Sequence, residues 1–284
     1  MIEDIFKDCK PTPFEDFYNR EEKDQNNFSF WFNKIICPKK PKTLIIRVPP
    51  TVAECFGEYT FLNDKTIRNW VRDSVIPQIQ IVFPNRYKVF IKNSRFSNKF
   101  EFNESCLCTT HEQDLVEHIK LINYRSLECD ALGFTELIVR EYIGFDETKI
   151  PTIYHGMPLR PEYRVFVDFD INKIIHIHDY WDFEYVSKGL YSLTDKIVFK
   201  KWSKTYKKQW ESHFDELKNF IKVNITNDGL TGVWSLDFLW SDGEFWFIDA
   251  ARAEQSAYRE NIEDYLEAKH GQASVQQLLQ ILEK

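Results

Sequence analysis

The chain has 284 residues, 43% of them hydrophobic and 16% aromatic, which suits two modest domains or one large lobed domain and is too apolar for a disordered chain. A net charge of −7 argues against a protein that holds nucleic acid by its overall charge. Six scattered cysteines lack the rhythm of a disulfide scaffold, no apolar run reaches the ~18 residues of a membrane span, and MIEDIFKDCK has no signal-peptide regions, so a cytoplasmic protein with reduced thiols and no membrane partner is expected.

In chain order, a helix is expected near Phe14–Tyr18, followed by an aromatic cluster at Phe28–Phe32. Thr43–Val48 reads as a strand closed by Pro49 and Pro50. The spacing of Ile67, Trp70 and Val71 predicts a helix over Asp64–Val75, capped by Asn63 or Asp64 and ended before Pro77. Residues 1–84 are thereby expected to form a small α/β lobe of their own. Tyr87–Lys92 predicts a strand, 93–98 a polar turn, and Lys99–Phe102 a second strand-like piece. Lys92 and Lys99 can meet one polyanion from two sides or simply face solvent. A helix over His111–Leu121 and a strand over Glu136–Ile143 complete a second stretch, 85–143.

The remainder, 144–284, opens with a strand pair, Glu162–Phe169 and Lys173–Tyr180, joined by a turn at 170–172. Arg164 sits mid-strand among apolar neighbours, a cation committed to Glu162, to Asp168 or to a phosphate. His176 and His178 project to one side of their strand without further zinc ligands, and Cys106-Leu-Cys108 lacks a matching second pair. Residues 204–222 have the spacing of an amphipathic helix. Tyr258–Lys269 reads as another, and Ser274-Val-Gln-Gln277 as the capped start of a closing helix with Leu278, Leu279 and Leu282 inside.

Between these helices, GVWSLDFLWSDGEFWFIDAARAE alternates as two strands, Val233–Trp240 and Glu244–Asp249, each with one acid at an inner position. A three-residue loop would pair Asp237 with Phe247 and Ser235 with Asp249, leaving the two carboxylates as diagonal neighbours on one face, roughly 7–8 Å apart at the backbone. A two-residue Asp242-Gly243 turn would shift the register by one and part them. On one face they suit a Mg²⁺ ion that takes one or two carboxylates plus phosphate oxygens, or else they are solvated acids on an exposed sheet.

Lys92 and Lys99, then Arg140-Glu141-Tyr142-Ile143, then Glu162-Tyr163-Arg164, then Asp237 and Asp249 form an ordered set that resembles the ATP-grasp superfamily over about 85–254. VFIKNSRFSNKF, ELIVREYI, EYRVFV and FWFIDAAR look most like its family of cell-division-cycle chaperones that assemble translation initiation factor two. The resemblance implies an α+β protein in which two antiparallel-sheet lobes, 85–143 and 144–284, sandwich ATP behind the small N-terminal lobe. It further implies that Lys92 and Lys99 hold phosphates, that the backbone of Glu141, Tyr142 and Ile143 meets the adenine edge, and that Asp146 takes the ribose. Asp237 and Asp249 would hold Mg²⁺, and Arg164 would touch the phosphate tail. Arg164 or Arg252 would neutralise developing charge in an ATP-dependent carboxylate–amine ligase acting on a small acid and an amine through an acyl phosphate. The alternative is an ATP-binding assembly chaperone with a protein partner and little turnover. Two departures bear on the choice: Ala251 stands where such proteins carry an asparagine, and 93–98 contains no glycine.

Overall fold

The computed structural model describes residues 14–57, 64–84, 88–144, 150–257 and 259–282, with the backbone alone at 183 and 275–282. The chain folds as α+β in two compact units, built from 1–30, 43–98 and 104–141, and from 31–42, 99–103 and 142–284. No helix among the described residues is long and apolar enough to cross a membrane.

The first unit is built on strands β1 (Thr43–Arg47), β2 (Lys88–Asn93), β3 (Leu107–Thr109) and β4 (Glu136–Arg140), antiparallel throughout in the order β1-β4-β2-β3. Alternation sends Ile46, Val89, Ile91, Leu137 and Val139 to one face, where they form a single core with helix α1 (Phe14–Glu21), helix α2 (Pro50–Gly57), helix α3 (64–82) and helix α4 (Glu112–Glu128). The boundary expected at residue 84 runs through this sheet, because β1 pairs with β4, Ile45 opposite Ile138. Pairing between strands so distant in the chain leaves no local trace in sequence.

Pro77 does not end α3. Its missing N–H is absorbed by a π turn over Val71–Val75, in which the Ile76 N–H reaches back to the Val71 carbonyl, and the helix continues to Val82. Pro50 opens α2 rather than closing only a strand, as suits a residue with fixed φ and no donor. Lys99–Glu101 is a 3₁₀ turn leading into Phe102–Ser105, not a strand.

The second unit has its own antiparallel sheet of β5 (Glu162–Asp168), β6 (Lys173–Asp179), β7 (Val233–Ser241) and β8 (Glu244–Arg252), in the order β8-β7-β5-β6. Tyr163, Leu236, Phe238, Phe245 and Phe247 are buried on one face. That face receives helix α5 (Leu193–Ser212) and helix α6 (Phe214–Asn224): Trp210 stacks on Tyr163 at 5.3 Å and Phe220 meets Phe238 edge-on at 6.2 Å. The amphipathic run expected at 204–222 is thus two helices, parted at His213, whose ring stacks on Trp240 at 3.9 Å. The opposite face is polar at its centre. Toward Asp168 it is covered by a 3₁₀ turn over Arg259–Ile262 and by helix α7 (Glu263–Leu282), which contribute Ile262 and Leu266 to a small cluster with Phe166 and Val233. Ser274 lies inside α7 and starts no new helix. Asn63 and the side chains of Leu278, Leu279 and Leu282 fall outside the described residues.

Candidate functional site

Asp249, Asp237, Arg164 and His178 stand opposite one another on β8, β7, β5 and β6, so all four share the face of the sheet away from α5 and α6. The hairpin reaches this arrangement by a route other than the one expected. Its turn has two residues, Asp242 and Gly243, both at positive φ (56° and 76°), with Ser241 opposite Glu244. Continued without interruption, that register would part the acids. A bulge at Ile248 inserts one residue between the Phe238–Phe247 and Asp237–Asp249 pairs, and the carboxylates return to one side as direct rather than diagonal partners.

Arg164 closes a two-pronged pair on Asp237, Nε donating to Oδ1 and Nη2 to Oδ2, both at 2.8 Å, while Nη1 donates to the Ala257 carbonyl at 3.1 Å. The arginine and its partner are 9% and 5% exposed. Burial works against the guanidinium charge, but the Asp237 carboxylate outweighs it and holds the Arg164 pKa above its ordinary value. Two residues along β5, Glu162 accepts from Lys99 Nζ at 2.7 Å and from Trp181 Nε1 at 2.9 Å. Burial acts to deprotonate Lys99, and the nearby Glu162, Tyr180 and Asp237 reverse this, so its pKa lies above the lysine range. Burial raises Glu162, with Lys99 pulling it part of the way back. The Tyr180 ring lies between the two cations, 4.2 Å from Lys99 Nζ and 4.7 Å from Arg164 Cζ.

The other expected site residues are spread more widely. Lys92 is 2% exposed in the first unit, its Nζ 5.6 Å from the Phe28 ring centroid, and Lys99 belongs to the second unit. Glu141 is half-buried at the end of the first unit's chain segment. Tyr142 packs on Phe102 at 6.1 Å. The Ile143 and Gly144 carbonyls accept from Arg160 Nη1 and Nη2 at 2.6 and 2.9 Å. Gly144 is required there, since at φ +71° a Cβ would lie 2.4 Å from the Arg160 guanidinium. Asp146 lies outside the described residues. Arg252 faces the helix side of the sheet, opposite Trp234, and donates to the Thr231 carbonyl at 2.7 Å and to Glu254 at 3.2 Å. It is therefore turned away from the face that carries Asp237 and Asp249. The sequence reading weighed Glu162 only as a partner for Arg164 and missed Tyr180, Trp181 and Arg160. Only the placement of Glu162 two residues before Arg164 on one strand hinted at its part.

Beside this row, the Asp179 carboxyl is pushed up to about 6 by burial, against hydrogen bonds from Tyr206 Oη at 2.6 Å and from the Trp181 N–H at 3.0 Å. A carboxyl whose pKa is higher folded than unfolded favours folding while protonated, and that contribution disappears as pH rises through the folded value. Asp179→Asn, which keeps an acceptor for both donors, is therefore expected to stabilise the protein at pH 8 by up to about 3 kcal/mol and to leave it unchanged below pH ~4. Urea midpoints at the two pH values measure the difference.

Asp237 and Asp249 form a pair, not a cage: both Asp237 oxygens accept from Arg164, and among the described residues no three His, Cys, Asp or Glu side chains gather as metal ligands. Such a donor set does not fit a resident, protein-caged ion. It fits a Mg²⁺ that arrives on phosphate oxygens and needs only one or two carboxylates.

No family model matches the chain, and no curated protein does. Among solved structures it is similar to Cdc123 from Schizosaccharomyces pombe at 15% identity over 84% of this chain and 88% of that one, with a TM-score of 0.49, and 0.48 for a C-terminally truncated form. It is also similar to N5-carboxyaminoimidazole synthetase from Staphylococcus aureus, solved with ADP, at 10% identity over 78% of this chain and 42% of that one, with a TM-score of 0.32. At these identities and scores no residue's role carries across.

Proposed function

We propose that this protein binds ATP with Mg²⁺ on the polar face of its second sheet. Lys99 and Arg164 would meet phosphate oxygens there, and Asp249, with Asp237, would meet the metal. The observation that supports this is the row itself: two cations and three carboxylates gathered on one face of a sheet whose other face is apolar. Buried ion pairs contribute little net stability, because desolvation consumes most of the attraction. A cluster of charges held in place by neighbouring hydrogen bonds is instead the usual way to meet a polyanion without reorganisation.

For the use made of ATP, we favour binding with little turnover, as in an assembly chaperone that holds a protein partner, over an acyl-phosphate-forming carboxylate–amine ligase. Arg252 is tied down on the other face, and Ala251 places a methyl group on the metal face two residues beyond Asp249. Little remains on that face to neutralise charge that develops only in a transition state. ADP release, measured with and without pooled small carboxylic acids and amines, tests the choice. Bound ATP with unstimulated, near-background release is expected. Release that rises with an added acid and amine would establish the ligase instead.

A further inference from the structure

Tyr180 follows directly on β6, at the margin of the second sheet. Its N–H donates to the Glu162 carbonyl at 3.0 Å, one residue beyond the Tyr163–Asp179 pair, so it stands beside Glu162. Side chains alternate along a strand, which sends Tyr180 to the same face as His178, the partner of Arg164. There its ring centroid lies 4.2 Å from Lys99 Nζ and 4.7 Å from Arg164 Cζ. One aromatic side chain thus touches both cations of the proposed nucleotide site.

The face of an aromatic ring is negative and draws cations, whereas its edge is positive and tolerates an anion. An anion that meets both Lys99 and Arg164 is therefore turned toward the edge of the Tyr180 ring. That edge carries the hydroxyl. The other donors of the cluster are already engaged: Lys99 and Trp181 with Glu162, and Arg164 with Asp237. Tyr180 is half-buried, and its hydroxyl makes no hydrogen bond among the described residues, yet it is not one of the closed-off polar atoms. Burial raises its pKa, with Lys99 and Arg164 pulling it part of the way back, so the group stays a protonated donor at neutral pH. A donor already held at the place where an anion arrives costs no reorganisation on binding.

We propose that Tyr180 is a phosphate-binding residue: its hydroxyl donates to the phosphate chain that Lys99 and Arg164 meet, while its ring holds those two cations in place. This rests on the reading of the polar face as a nucleotide site, and it adds a neutral donor to the two cations named there.

The test is calorimetric titration of the wild type and of Tyr180→Phe, each with MgATP and with magnesium tripolyphosphate. Phenylalanine keeps the ring and both cation contacts and removes only the hydroxyl. Both ligands are expected to bind the wild type and to weaken in the variant by the same factor, about tenfold, as for a lost hydrogen bond to a charged acceptor. Thermal melts of the two unliganded proteins should coincide, because no internal hydrogen bond is lost among the described residues. MgATP bound with equal affinity by both proteins would overturn this inference and leave the nucleotide reading standing. So would a loss confined to MgATP, or a wild type that binds MgATP and not tripolyphosphate, since the contact would then lie with the nucleoside. A lowered melting temperature in Tyr180→Phe would overturn it as well, by showing that the hydroxyl serves the fold. A wild type that does not bind MgATP would remove the nucleotide reading, and this inference with it.

Discussion

Asp237→Ala is expected to destabilise the protein by about 3–5 kcal/mol, because it strands the Arg164 charge inside the sheet face. The guanidinium loses both of its 2.8 Å carboxylate bonds, and the Ala257 carbonyl, a neutral acceptor 3.1 Å away, does not replace their charge. Water cannot take the carboxylate's place without opening the packing around a residue only 9% exposed. The signature of this cause, as opposed to a generic cavity, is rescue. Arg164→Met combined with Asp237→Leu replaces the pair with apolar volume and should recover most of the loss, since two buried charges removed together take their desolvation cost with them. A four-corner cycle of urea midpoints measures the coupling. If the double variant is as unstable as Asp237→Ala alone, the pair is not what holds the two strands' charges in place.

Lys99→Met should cost a few kcal/mol at neutral pH for the matching reason, with the opposite sign of charge left behind. Without Lys99, the Glu162 carboxylate retains, among the described residues, its Trp181 hydrogen bond against the burial that already raises its pKa. That pKa will rise further. A carboxyl raised above its unfolded value contributes to folding when protonated and loses that contribution as pH climbs through the folded value, so the variant should recover stability on acidification. Lys99→Met/Glu162→Gln, neutral at both positions, should be more stable at pH 8 than Lys99→Met and lack its extra pH dependence. Thermal melts between pH 5 and 8 decide this: parallel curves for the single and double variants would mean that Glu162 is not the group left uncompensated.

The sequence made some of this structure readable and hid the rest for identifiable reasons. The strands around Arg164 and the hairpin of Asp237 and Asp249 follow from period-two alternation and from turn residues, which are local signals, whereas the α+β class was implied by the family resemblance. The shared face of the two acids was legible as an outcome but not as a mechanism. Asp242-Gly243 is the strongest turn signal in the hairpin, and taken alone it parts the carboxylates; only the bulge at Ile248, which no residue type announces, reunites them. The pairing of β1 with β4 is set by tertiary packing, so residues 1–84 looked separable when they are not. Pro77 looked like a stop because the π turn that absorbs it depends on how α3 packs. Lys99 looked like a companion of Lys92, yet a 3₁₀ turn where a strand was expected carries it to Glu162. Arg164 was identified as a committed cation, and its partner lies on the neighbouring strand rather than on its own.

Calorimetric titration of the wild type and of Lys99→Met/Glu162→Gln with MgATP tests the nucleotide site most directly. The double variant keeps the site's net charge and leaves the Arg164–Asp237 pair untouched, so a folded protein is available for comparison. Measurable binding to the wild type and an affinity lowered about tenfold or more, some 1.4 kcal/mol, in the variant is the predicted result. No heat with the wild type, or the same affinity in both proteins, would contradict ATP binding on this face.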